Sequence, residues 1–284
     1  PEDGPVVPAR RRPGGAPRRN LAPLARVHPV APPPQGGTPM DRGNPPPRSG
    51  ILEIKEKAPA DVGAEVDGRR VRPVTLEVAT GIRVTVLEAA DADDLLAAAL
   101  EDDAGLDPYA GVLWPTALAV ARALVDDVSS ADRVVDLGAG TGLAGLTAAR
   151  LGARVVALDH DPFALRLIDR AAALQGLEVE TRRFDLHGAE PLPPADVVVL
   201  ADILYEPALA RSAARRAAEA AAAGARVIVG DPGRLSRAEF LHALALLGHA
   251  PEFVETRVRL PGDPVATTVG IARLGGRPRP GPGR

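Results

Sequence analysis

Two short stretches hold residues that could do chemistry together. In the first, Asp136, Gly138, Gly140 and Gly142 occupy every second position, and Asp159 stands about 20 residues beyond the turn they form. In the second, Asp202 and Tyr205 follow the apolar run Val197–Ala201 with D-x-x-Y spacing. Glycines let the backbone turn sharply and approach a ligand where side chains would intervene. An acid ending the next strand suits hydrogen bonding to ribose hydroxyls. The glycine stretch therefore reads as a nucleoside-cofactor site, and the D-x-x-Y stretch as its neighbour at the ligand edge of the same sheet.

The glycines alone leave two cofactor classes open. Gly140, Gly142 and Gly145 spell G-x-G-x-x-G, the dinucleotide fingerprint. The frame Asp136-x-Gly138-x-Gly140-x-Gly142 is similar to motif I of class I S-adenosylmethionine methyltransferases. Other elements of the chain have to separate a methyl donor from a hydride carrier.

Those elements alternate. Around the glycine turn lie an apolar strand ending at Asp136, an Ala/Leu-rich helix to Gly152, and a second strand over 155–158. A helix over 164–174 and a strand over 177–184, ending at Asp185, come next. The wholly apolar run at 197–201 marks a strand buried on both faces. A helix over 208–223, a strand over 227–229, a helix over 237–247 and strands near 253–260 and 266–274 complete the pattern. Strand–helix alternation implies a doubly wound parallel sheet. The Pro261–Pro264 link is too short for a parallel crossover, so the last strand should be antiparallel. A sheet with one reversed strand near its C-terminal end favours the methyl donor.

Upstream, alternation over 71–87 around Thr80-Gly81 predicts a β-hairpin. A short helix is expected over 91–100, and Pro115 after Trp114 should start another. Residues 1–50 hold 14 of the 30 prolines and a net charge of +5, leaving −8 on residues 51–284. The proline- and arginine-rich segment should be a disordered, solvated tail, and the acidic remainder is a poor binder of phosphate backbones. Met40, the single methionine, is a candidate translation start. Cysteine is absent, which excludes disulfides, thiolate metal sites and a cysteine nucleophile. The five histidines lack metal-ligand spacing. No apolar run is long enough to span a membrane and no signal-peptide pattern is evident, so a cytoplasmic location is expected.

The chain resembles the seven-strand protein lysine methyltransferases, in particular the group that includes electron-transfer-flavoprotein β-subunit lysine methyltransferase and its bacterial relatives. The likeness rests on PYAGVLWP (108–115), DLGAGTG (136–142), ADILYE (201–206) and VGDPGR (229–234), and covers roughly 76–274. Ala110 and Val112 depart from it, standing where relatives often carry aromatics. The resemblance implies an α/β, doubly wound, mostly parallel seven-stranded Rossmann-like sheet with an antiparallel last strand. To this it adds the N-terminal hairpin and disordered tails. The expected divisions are a tail (1–60), a hairpin-and-helix lid or extension (61–112), the methyltransferase domain (113–274) and a second tail (275–284).

By the same resemblance, S-adenosyl-L-methionine would be the cofactor. Asp136, Gly138, Gly140 and Gly142 would cradle its methionine part, Asp159 its ribose and Asp185 the region of its adenine amino group. Trp114 and Ala201 would line the pocket. Asp202 and Tyr205 would serve the acceptor, expected to be a lysine amine of a protein such as electron transfer flavoprotein β subunit or a ribosomal protein. Asp231 and Arg234 could line the acceptor channel, or Arg234 could pair with an acid. A lysine amine titrates near 10.4. A sulfonium about 4 Å away would disfavour its protonated form by about 4 kcal/mol at an effective dielectric near 20. A strong protein base is then unnecessary, so Asp202 is expected to bind and orient the amine rather than take its proton. The rival readings are a small-molecule, nicotinamide-like N-methyltransferase, a nicotinamide-dependent oxidoreductase, and a nucleic-acid-binding module using the arginine-rich tail.

Overall fold

The computed structural model describes residues 64–91, 95, 107 and 109–276, all within the compact unit Glu56–Arg284. The expected tail at 1–60, residues 277–284 of the tail expected over 275–284, and most of the helix expected over 91–100 lie outside the described residues.

The main sheet comprises β4 (Arg133–Leu137), β5 (Arg154–Asp159), β6 (Glu180–Arg183), β7 (Val197–Ala201), β8 (Arg226–Asp231), β9 (Val254–Val258) and β10 (Thr267–Leu274). An antiparallel sheet of β1 (Ala64–Val66), β2 (Arg69–Ala79) and β3 (Ile82–Ala89) precedes it. The helices are α1 (Pro115–Asp127), α2 (Leu143–Arg150), α3 (Pro162–Gln175), α4 (Pro207–Ala222) and α5 (Arg237–Leu246).

The seven strands lie in the order β6-β5-β4-β7-β8-β10-β9. β4 to β8 pair in parallel, and β10 is antiparallel to both its neighbours. The doubly wound sheet and its reversed last strand are therefore as expected. This is the α/β Rossmann-like methyltransferase arrangement. Alternate residues of the central strands feed two cores, Val197 and Val199 packing with α1 to α3, Val198 and Leu200 with α4 and α5. Burial on both faces explains why β7 is apolar throughout.

Strand order reverses between β4 and β7, and the crevice beyond the carboxyl ends at such a point is where open α/β sheets bind ligands. The loops after those two strands carry the glycine turn and D-x-x-Y.

The hairpin of β2 and β3 is observed, extended by β1, a three-residue strand too short to show periodicity. Its β3 packs on α2 and α3. Gln175 at the end of α3 donates to the Thr85 carbonyl at 2.7 Å and accepts from the Thr85 amide at 2.8 Å, standing in for a strand partner. The Glu88 carboxylate and the Ala89 amide bond the backbone of Leu113 and Gly111, so the small sheet braces the segment leading into α1. The strand expected over 177–184 is shortened to Glu180–Arg183, with Leu177 and Val179 packing half-buried against the core ahead of the ladder. Among the described residues, no helix is long and apolar enough to cross a membrane.

Candidate functional site

The glycine turn is built from the end of β4. Asp136, 2% exposed, accepts the Gly145 amide at 2.7 Å and so ties the strand end to the first turn of α2. Burial, against the help of that amide, pushes its carboxyl up to about 7. The amides of Gly138 and Ala139 both donate to the Leu158 carbonyl, clamping the turn against β5.

Gly138 and Gly142 adopt left-handed backbone (φ +70° and +74°), and a Cβ at either would lie 2.9 Å from Ile203 or 2.5 Å from Ile168. No side chain fits there without displacing the core. At Gly140 a Cβ would meet only the Ala110 carbonyl, at 3.5 Å, so apart from that contact the space beside the turn is open.

Asp159 ends β5 directly beside this opening. Its Oδ2 accepts the Gly140 amide at 2.8 Å and its Oδ1 the Asp161 amide at 2.9 Å. The next residue, His160, has Nδ1 at 3.4 Å from Asp159 Oδ1 and Nε2 at 3.9 Å from Asp107 Oδ2. The hydrogen bond to Asp159 raises the imidazole above its usual range, burial opposing. A buried carboxylate, a backbone turn bare of side chains and an open face fit the ribose and amino-acid ends of an S-adenosyl cofactor.

After β7 the chain turns at Asp202, which is 8% exposed and held at φ +60°. Its amide donates to the Gly230 carbonyl. Its carboxylate accepts the Thr116 hydroxyl at 3.0 Å on Oδ2 and Arg234 Nε at 2.5 Å on Oδ1. Burial raises the Asp202 carboxyl, and Arg234 opposes the rise. Arg234 thus pairs with an acid, and that acid is Asp202. Its guanidinium also stands over the Trp114 ring at 5.8 Å.

Trp114 caps α1 from its N-terminal side and donates Nε1–H to the Tyr109 carbonyl at 3.2 Å. Tyr109 lies 6.2 Å, centroid to centroid, from both Trp114 and Tyr205. Three of the chain's seven aromatic residues therefore form one wall at the carboxyl edge. Such ring faces attract cations. The Tyr205 hydroxyl donates to Asp107 Oδ2 at 3.2 Å, and burial with that carboxylate's charge raises the phenol's pKa, keeping it protonated.

The structure brings Asp136, Gly138, Gly140, Gly142 and Asp159 into one bonded unit, and Trp114, Asp202, Tyr205 and Arg234 into another. Ala201, half-buried, closes β7 between them. Asp231 is fully buried at the end of β8, its Oδ2 accepting the amides of Gly233 and Arg234 and Arg237 Nε, so it organises the loop that delivers Arg234. Asp185 is exposed and its Oδ1 accepts the His187 amide, a local turn contact. Five residues of the site are not singled out by the sequence: Asp107, Tyr109, Thr116, His160 and Arg237. His160 was within reach, lying between two aspartates at a strand end, whereas Asp107 and Thr116 carry no local signal.

Comparison with known proteins follows this geometry. Residues 98–230, less than half of the chain, match the family model of ribosomal protein L11 methyltransferase (PrmA). The ribosomal protein L11 methyltransferase of Geobacter sulfurreducens is 42% identical over 100 residues, covering 35% of this chain and 32% of that protein. Its namesake in Heliobacterium modesticaldum is 41% identical over 75 residues, 25% of this chain and 24% of that one. The match thus spans about a third or less of these curated relatives' length. Among solved structures, the tRNA (uracil-54, C5)-methyltransferase of Pyrococcus abyssi, in complex with S-adenosyl-L-homocysteine, overlaps with a TM-score of 0.44 at 14% identity, over 71% of this chain and 44% of that one. That overlap is too slight to transfer function. With the strand order of the sheet and the match to a methyltransferase family, the class I methyltransferase fold read from the sequence stands, and with it S-adenosyl-L-methionine as the cofactor class. The matched relatives carry the name of ribosomal protein L11; electron transfer flavoprotein finds no support among them.

Proposed function

We propose that this chain is an S-adenosyl-L-methionine-dependent protein methyltransferase whose acceptor is a lysine amine of ribosomal protein L11. The observation that carries the reading is the adjacency of the two bonded units. The loop after β4 offers an open glycine turn flanked by Asp136 and Asp159. The loop after β7, the next strand in the sheet, offers Asp202 and Tyr205 against an aromatic wall. The kinship of the matched stretch to L11 methyltransferases supports the choice of acceptor.

When bound, the cofactor would supply a methyl group on a positively charged sulfur. Displacement on that methyl is in line, so the protein's work is placement and exclusion of water. Asp159 would hold the ribose, with the Gly140 amide fixing its carboxylate. Asp136 would sit beneath the methionine end, and Trp114 would border the pocket. Asp202, with both oxygens already accepting hydrogen bonds, would orient the acceptor side by fixing Arg234 and the α1 start rather than by taking a proton. Tyr205 and Tyr109 would wall the amine's approach.

The test uses labelled S-adenosyl-L-methionine with L11 from the same source, followed by peptide mapping. Label on an L11 lysine is the expected result. Label only on small molecules of a lysate would move the reading to the nicotinamide-like alternative. Thermal stabilisation by a nicotinamide dinucleotide and none by S-adenosylhomocysteine would remove methyl transfer altogether.

A further inference from the structure

Asp107 lies at the meeting point of the two units. Its backbone amide donates to Asp161 Oδ2 at 2.9 Å, and Asp161 also caps α3 through the Phe163 amide. Its Oδ1 accepts the Tyr109 amide at 2.9 Å, and its Oδ2 accepts the Tyr205 hydroxyl at 3.2 Å. His160, beside Asp159, faces the same Oδ2. The side chain is 15% exposed. Among the described residues, Tyr109, Tyr205, His160, Asp159 and Asp161 are the titratable residues around it.

Burial raises the Asp107 carboxyl, and the Tyr109 amide, His160 and the Tyr205 hydroxyl oppose the rise. In its ionised form the carboxylate can only accept hydrogen bonds, and the phenol of Tyr205 donates to it. A phenol has one proton. With that proton committed to Asp107, its oxygen can offer a third group lone pairs alone. The distinction matters for an amine nucleophile, whose single lone pair has to point at the carbon being transferred. A hydroxyl free to rotate would donate to that lone pair and occupy it. A hydroxyl pinned elsewhere accepts an N–H instead, which orients the nitrogen and leaves its lone pair free.

Resting on the reading of Tyr205 as the residue that meets the acceptor, we propose that Asp107 is a positioning residue that pins the Tyr205 proton, so that the phenol oxygen receives the acceptor nitrogen as a hydrogen-bond acceptor. The site would then favour acceptors that carry both an N–H and a lone pair, namely amines.

The variant Asp107→Asn reverses the polarity of this contact. Keeping its oxygen on the Tyr109 amide places an NH2 group where Oδ2 stood, and that group donates to the phenol. Two measurements on the full chain decide the matter. The chain has two tyrosines, so carbon-13 at their ζ carbons yields two resonances, the Tyr205 signal being the one lost in Tyr205→Phe. It should move in Asp107→Asn. Labelled methyl transfer is then measured in parallel on L11 and on the protein fraction of a lysate from the same source. Asp107→Asn should lower kcat at least about tenfold, with S-adenosylhomocysteine affinity within about threefold of wild type. In a Tyr205→Phe background the same change should cost less than about twofold, since the proton it redirects is gone. An equal cost in both backgrounds, or an unmoved Tyr205 resonance, would show that Asp107 merely supports its loop. Transfer to the lysate proteins but not to L11 overturns only the choice of acceptor, and the Asp107 comparison is then read on those proteins. No transfer to either substrate overturns the protein-methyltransferase reading and Asp107's role with it.

Discussion

Arg234 Nε lies 2.5 Å from Asp202 Oδ1, joining the acid that opens the loop after β7 to the loop after β8. The Asp202 side chain is 5% exposed and that of Arg234 32%, so the carboxylate is the member that depends on the pair. Thr116 fills the other oxygen from the first turn of α1. Three elements distant in sequence thus converge on one carboxylate at the proposed acceptor side.

Breaking this convergence should separate chemistry from cofactor binding. Asp202→Ala should bind S-adenosylhomocysteine within a few-fold of wild type while transfer falls at least about tenfold, since displacing a reacting group by about 1 Å can cost 10²-fold. Arg234→Ala leaves a buried carboxylate without its counterion and should cost about 1–3 kcal/mol of stability, below the 3–5 typical of fully buried pairs because the guanidinium is partly solvated. The double variant should cost less than the sum of the two. Additive losses in denaturant titrations would show that the pair is not energetically coupled.

Asp159→Ala should weaken S-adenosylhomocysteine binding by about 1.5–3 kcal/mol, the usual worth of hydrogen bonds to a charged group. The Gly140 amide would lose its partner at the same time, so part of the loss would come from a looser turn. Calorimetry reporting unchanged affinity would place the ribose elsewhere.

The raised carboxyl of Asp136 makes stability depend on pH. An unfolded aspartate titrates near 3.8, and the folded one near 7. Between those values the folded state holds the additional proton, so this residue's contribution falls as pH rises and levels off above about 7. Asp136→Asn keeps an acceptor for the Gly145 amide and removes the titration. The melting temperature of the variant relative to wild type should therefore rise between pH 5 and 8. A difference constant over that range would mean that Asp136 titrates normally.

Gly142→Ala should destabilise by about 1–3 kcal/mol, from a left-handed backbone and a Cβ 2.5 Å from Ile168. A melting temperature within a degree of wild type would show that α3 yields easily at that contact.

Local chemistry made much of this protein legible in its sequence. Glycine turns, the helix-starting Pro115 and the all-apolar β7 each act within a few residues, and the placing of Asp136, Asp159 and Asp202 at strand ends followed from them. The short Pro-Gly link likewise forced β10 to reverse. What tertiary structure alone decided was which strand ends become neighbours, because strand order is settled by burial of both sheet faces across the whole chain rather than by any one segment. The partners of Asp202 are 86 and 32 residues away, and those joining Asp107 to Tyr205 are separated by 98. No spacing in the sequence announces such contacts. The sequence marked Asp202 and Tyr205 as a pair; packing gave each a partner of its own, Arg234 for the one and Asp107 for the other.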